Sequence, residues 1–105
     1  MKTKIYSYIR ETLGIAEQEI LDDLWQEYRA AFRENLNRIT ALLPSRDGQN
    51  LARAAHSLKG CAGNIGHSSV YELCLKLENA GKDADFASAE RLLEQLQEAF
   101  ASLEE

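Results

Sequence analysis

"AEQEILDDLWQEYRAAFRENLNRITALL", residues 16–43, is the stretch whose reading decides the fold. Within it Ile20, Leu24, Trp25, Tyr28, Ala31, Phe32, Leu36, Ile39 and Leu43 recur at steps of three and four. That period lines apolar side chains along one face of a helix and leaves the charged residues on the other. The stretch therefore reads as one long amphipathic helix. It stops at Pro44, because a proline pushes the residue before it out of helical geometry. Pro44 is the only proline in the sequence and β-branched runs are few, so helices are expected on both sides of it.

Upstream, Thr3 to Leu13 places Ile5, Ile9 and Leu13 on one face and ends at Gly14, a short helix fit to cover a larger body. Downstream, Pro44 to Gly48 is a turn, with Asp47 as N-cap of a third helix running to about Asn64. Ser68 or Ser69 is expected to cap a fourth, Ser69 with Glu72 three residues on as a capping box. Its apolar positions are Val70, Leu73, Cys74 and Leu77, and Gly81 is placed to terminate it. Asp85 caps a last helix with a stripe of Phe86, Ala89, Leu92, Leu93, Leu96, Phe100 and Leu103. Four substantial amphipathic helices on short loops predict an all-α fold, an antiparallel up-and-down four-helix bundle with a short N-terminal cover helix. The spacing is too irregular for a long two-stranded coiled coil.

The bulk numbers agree. A chain of 105 residues has room for one core, so residues 1–105 form a single domain. Hydrophobic residues make up 45% and charged residues 28%, the balance of a soluble globular protein rather than a disordered one. A net charge of −5 gives no electrostatic support for binding nucleic acid or an anionic membrane. The opening MKTKIYSYIR has no apolar run long enough for a signal peptide or a membrane span, which points to a cytoplasmic protein or the cytoplasmic part of a larger one. The initial Met1 and a complete set of bundle helices favour a free-standing chain, and a bundle closed on itself favours a monomer. Cys61 and Cys74 sit inside amphipathic patterns and read as reduced, small core residues.

The third helix carries the chemistry. "AAHSLKGCAGNIGH", residues 54–67, holds both histidines, and Gly60, Gly63 and Gly66 interrupt it within seven positions. At about 100° per residue, Leu51, Ala54, Ala55, Leu58, Cys61, Ala62 and Ile65 fall on the half of the helix opposite His56. The near half holds Gln49, Ala52, Arg53, His56, Lys59, Gly60, Gly63 and Asn64, all polar or small. His56 therefore points to solvent. Each of Gly60 and Gly63 costs up to roughly 1 kcal/mol of helix propensity against alanine, so stability alone does not explain them. Bare backbone lets another protein approach the imidazole, and Lys59 one turn on brings a positive charge near the ring. An exposed imidazole keeps a neutral, nucleophilic fraction at neutral pH. Phosphoryl transfer asks for in-line access and charge compensation and little else from the protein, and a lysine ammonium can supply that compensation.

These residues resemble the histidine-containing phosphotransfer (HPt) domains of two-component phosphorelays. The pattern His-x-Leu-Lys-Gly-x-x-Gly-x-Ile-Gly stands here as His56, Leu58, Lys59, Gly60, Gly63, Ile65 and Gly66. The resemblance implies that His56 takes a phosphoryl group on Nε2 from the phospho-aspartate of a response-regulator receiver domain and passes it to another. It implies that Lys59 stabilises the phosphoryl oxygens and that Gly60 leaves room for the receiver's active site. No cofactor would be bound by this chain, since the receiver supplies Mg²⁺ and most catalytic groups. Partners would be receiver domains and a hybrid sensor histidine kinase. The family often sets a polar residue beside the histidine on the next helix; alignment through Ile65-Gly66 makes that residue Glu78, whose carboxylate could accept from Nδ1–H and free Nε2. Gly63, Arg53 and Gln49 lie on the docking side. Gly66 is expected to set the turn into the fourth helix, and His67 to be a loop or cap residue.

Other classes fare less well. His56, Cys61, His67 and Cys74 offer zinc-binding atoms, but their spacings of five, six and seven match no common zinc pattern and their faces diverge, so no metal site is expected. No ATP-binding kinase motif follows, and there is no nucleophile, base and orienter set for a hydrolase. A helical adaptor that binds a partner without carrying a phosphoryl group is the remaining alternative, and it predicts that His56 is dispensable.

Overall fold

The computed structural model describes residues 1–103, which form five helices and no strand. They are α1 (Lys2–Leu13), α2 (Gln18–Leu42), α3 (Gly48–Asn64), α4 (Ser68–Lys82) and α5 (Phe86–Leu103). The molecule measures 43 × 22 × 17 Å, and the 25 residues of α2, at about 1.5 Å each, span most of its length. α3 and α4 make the most extensive pairing. Contacts of α2 with α3, α4 with α5, and α2 with α5 close these four helices into a ring, while α1 lies against α2.

The stripe on α2 is buried as Leu21, Trp25, Tyr28, Phe32, Leu36 and Ile39, with Leu43 just past the helix end. One expected member is corrected: Ile20 is exposed and Leu21 takes its place in the core. The helix starts only at Gln18, so the stripe is phased from Trp25 and Leu21 is the residue one turn before it. On α1, Ile5 and Ile9 are buried but Leu13 is exposed. The Tyr6 hydroxyl donates to Asp22, and its ring meets Trp25 edge-on at 6.2 Å between centroids. Gly14 ends α1 in the left-handed conformation at φ 72°, which a glycine adopts without strain.

Two caps form as expected: Asp47 accepts from the Asn50 N–H, and Asp85 from the Ser88 N–H. The start of α4 differs. His67, not Ser68 or Ser69, is the N-cap residue, and its ring does not cap the helix. The chain reverses through Gly66 at φ 75°, and the His67 N–H bonds the Ala62 carbonyl at 2.9 Å. Both serines already lie in the first turn of α4. His67 turns inward, almost fully buried, with Nδ1 2.6 Å from the Tyr28 hydroxyl of α2. Burial pulls the His67 pKa down to about 4 and raises that of the Tyr28 phenol. The imidazole is therefore neutral and shares one hydrogen bond with the phenol.

Gly81 does not terminate α4, which continues to Lys82. It is buried against α3: a Cβ there would lie 2.8 Å from the Gly48 carbonyl oxygen and 3.0 Å from the Ala52 nitrogen. The end of α4 and the start of α3 thus touch backbone to backbone. That contact also buries Ala52, although its position on the helical wheel falls on the solvent half. The tight crossing fixes how α4 lies beside the histidine of α3.

Candidate functional site

His56 stands at mid-length on α3, and its side chain is 67% exposed. Leu51, Ala54, Ala55, Leu58 and Ala62, on the opposite side of the helix, are buried in the core and hold the imidazole outward. Gly60, one turn on, is exposed, and a Cβ there would meet nothing within 4 Å. The approach along the helix to the ring is open.

Glu78 on α4 faces the ring. Its side chain is only 10% exposed, and its Oε2 lies 3.1 Å from His56 Nδ1. A carboxylate only accepts, so this hydrogen bond requires the proton on Nδ1 and leaves Nε2 with its lone pair. Glu78 Oε1 accepts from the Lys59 ammonium at 2.6 Å, and Lys82 reaches Oε2 at 3.4 Å. The Lys59 ammonium in turn holds the Glu78 carboxyl below the usual carboxylate range, and Glu78 holds the Lys59 pKa above that of an ordinary lysine. One nearly buried carboxylate thus organises an imidazole and two ammonium groups. The i to i+4 step from Glu78 to Lys82 puts both on one face of α4.

Lys59 departs from expectation. It does not stand free in solvent: its side chain is 16% exposed and crosses to α4. A position three residues after His56 lies toward the α3–α4 seam, where the carboxylate draws the ammonium in. Gly63 also differs from Gly60. It is exposed, but a Cβ there would touch the Tyr71 ring at 3.4 Å. Gln49 and Arg53 are exposed and, with His56 and Lys82, rim an open groove that includes the buried Ala52 and Glu78.

Lys82 and Tyr71 are site residues that the sequence pattern did not single out. Both were within reach once Glu78 was chosen, since Lys82 follows it by four and Tyr71 precedes it by seven, one and two turns away on α4. The four zinc-type donors do not converge. Among the described residues no group of three or more His, Cys, Asp or Glu side chains is placed to hold a metal ion. Cys74 is buried, which pushes its thiol up to about 12, while Cys61 is half-buried, and both are free thiols. No described helix is long and apolar enough to cross a membrane.

Comparison with known proteins extends the picture. The family model for the Hpt domain matches residues 23–105. Among solved structures, the chain is similar to histidine-containing phosphotransfer protein B (HptB) from Pseudomonas aeruginosa PAO1. The two share 25% sequence identity at a TM-score of 0.82, over 95% of this chain and 84% of that one. No curated protein matches.

Proposed function

The chain belongs to the Hpt domain family, and from that premise we propose that it is a phosphorelay carrier that takes a phosphoryl group on Nε2 of His56 from a receiver-domain phospho-aspartate and delivers it to a second receiver. The observation that carries the reading is the bond from Nδ1 of an exposed imidazole to a nearly buried carboxylate, beside the open backbone of Gly60.

The step is a displacement at phosphorus. The Nε2 lone pair attacks the aspartyl phosphate in line, the P–O bond to the aspartate breaks, and the aspartate leaves as a carboxylate. The proton on Nδ1 stays in place, and Glu78 offsets the positive charge that develops on the ring. Lys59 compensates charge on the phosphoryl oxygens as they arrive. The receiver brings Mg²⁺ and the remaining catalytic groups; this chain contributes a nucleophile in the right tautomer, a cation and a clear approach. Passing the group on reverses the same step. Gly60, Gly63, Arg53 and Gln49 belong to the docking face, and a hybrid sensor histidine kinase is the source of the phosphoryl group. The ring of contacts among α2, α3, α4 and α5 supports an antiparallel up-and-down four-helix bundle acting as one domain, with α1 as cover.

The test is incubation with a phosphorylated receiver domain and Mg²⁺, following the label. Acid-labile label on the wild type and none on His56→Gln is the expected result. Equal labelling of both proteins overturns the assignment of His56. Binding of the receiver with no label on either protein makes the chain an adaptor.

A further inference from the structure

Tyr71 has no place in the function so far, yet its surroundings are specific. It lies on α4 two turns before Glu78, and 37% of its surface is exposed. Its ring rests on α3 at Gly63, where a Cβ would come 3.4 Å from Cδ2 and 3.5 Å from Cε2. The Lys59 ammonium sits 6.0 Å from the ring centroid while bonded to Glu78 Oε1 at 2.6 Å. The Lys59 side chain is thus held between two residues of one face of α4, a carboxylate on one side and an aromatic ring on the other. This explains why so little of a surface lysine is exposed. It also separates the two glycines: Gly60 is bare toward open space, whereas Gly63 is bare toward Tyr71.

We propose that Tyr71 is a positioning residue for phosphoryl transfer, its ring seated on the bare backbone of Gly63 and walling the Lys59 ammonium against Glu78, close to His56. The proposal rests on the reading of His56 as phospho-acceptor, with Lys59 as the charge-compensating group. A four-carbon lysine stem is flexible, and the gain from a fixed ammonium lies in having it in place when the phosphoryl oxygens arrive. The ring face attracts the cation and its bulk keeps water and alternative rotamers out. The phenolic hydroxyl has no part in this, so phenylalanine suffices at the position.

The experiment has two readouts on the wild type, Tyr71→Phe, Tyr71→Ala, Lys59→Met and the Lys59→Met/Tyr71→Ala double variant. The first is single-turnover transfer from a phosphorylated receiver, varied in concentration. Tyr71→Ala is expected to lower the limiting rate about two- to fivefold, the scale of one partly exposed cation–ring contact, with the half-saturating concentration unchanged. Tyr71→Phe matches the wild type, and Tyr71→Ala costs nothing further in the Lys59→Met background. The second needs no phosphotransfer: brief acetylation with acetic anhydride, read by mass spectrometry at Lys59. Lys59 is expected to react faster in Tyr71→Ala and at the wild-type rate in Tyr71→Phe. Additive losses in the double variant, a loss in Tyr71→Phe equal to that in Tyr71→Ala, or a raised half-saturating concentration at unchanged limiting rate overturns the proposal. The last of these makes Tyr71 a docking contact. Unchanged Lys59 acetylation in Tyr71→Ala overturns it as well. Failure of the wild type to accept label sinks the phosphocarrier reading instead, and leaves the acetylation result to judge the contact itself.

Discussion

Acid should loosen this protein through His67 before it reaches the carboxylates. The imidazole is 3% exposed and hydrogen-bonds the Tyr28 hydroxyl through Nδ1 at 2.6 Å. Burial, with a smaller push from the N-terminal ammonium, lowers its pKa from 6.5 to about 4. Between those values the unfolded chain binds a proton that the folded chain refuses, so stability rises with pH across the window. It is fully present above pH 6.5 and is lost as the pH falls toward 4. Each tenfold difference in proton affinity between the folded and unfolded chains corresponds to about 1.36 kcal/mol, so the loss totals about 3 kcal/mol, most of it reached by pH 4.5. The perturbed carboxyls of Asp22, Asp47, Glu78 and Asp85 all titrate below their ordinary values of 3.8 to 4.5. Their contributions are present above those values and fade only at lower pH, below the window in which His67 acts. Urea denaturation from pH 7.5 to 4.5, compared between the wild type and His67→Phe, measures the effect. The variant should start lower at pH 7.5 by ~1–3 kcal/mol, because the Tyr28 hydroxyl loses its hydrogen-bond partner. Over the window its stability should then fall less than the wild type's by most of that ~3 kcal/mol. Parallel curves for the two proteins would refute the reasoning.

Glu78→Gln should slow transfer to His56 roughly tenfold, as loss of an orienting partner commonly does, and lower stability by ~1–3 kcal/mol. An amide oxygen cannot stand in for a carboxylate that serves His56, Lys59 and Lys82 together. Nitrogen-15 NMR of the imidazole reads the cause: the Nδ1–H form in the wild type and a mixture of tautomers in the variant, with an unchanged spectrum counting against it. The glycines should divide by location. Gly60→Ala, with open space around its Cβ, should raise the stability measured by thermal melting by up to ~1 kcal/mol, whereas Gly60→Leu should keep the fold and slow transfer by obstructing the receiver. Gly81→Ala should be destabilised by ~1–3 kcal/mol, because its Cβ would be forced against the backbone of α3 at Gly48 and Ala52; a neutral Gly81→Ala would refute the close crossing.

Much of the fold was legible because helical periodicity is written locally. Trp25, Tyr28, Phe32, Leu36 and Ile39 are buried as their spacing requires, and the aspartate caps act within three residues of themselves. Several of the errors share a cause. Gly81 and Gly66 both looked like punctuation, and only Gly66 is. What distinguishes them is that Gly66 takes the left-handed conformation at φ 75° whereas Gly81 stays helical with the backbone of α3 against it, which no property of residues 77–84 states. Ala52 on the solvent half of the wheel fails for the same reason, and the burial of His67, which does sit at the N-cap as a loop or cap residue, goes unseen for it: the partner that buries each one, Gly81 or Tyr28, is about thirty to forty residues away.

The site divides along the same line. The exposure of His56 follows from α3 alone, since a helix with Leu51, Ala55, Leu58 and Ala62 in the core must turn position 56 outward. The state of Lys59 does not, because a long flexible stem on the edge of a helix takes its direction from whatever charge the neighbouring helix presents. Glu78 could be placed near the seam from its position beside Leu77 and Cys74, but its bond to Lys59 depends on the exact pairing of α3 with α4. The backbone contact at Gly48 and Gly81 fixes that pairing at one end, and the turn through Gly66 fixes it at the other. Between these two points Glu78 meets His56, and Tyr71 meets Gly63. A glycine two turns from a histidine therefore signals bare backbone without saying which molecule will lie against it. At Gly60 the space beyond the backbone stays open; at Gly63 the protein's own Tyr71 fills it.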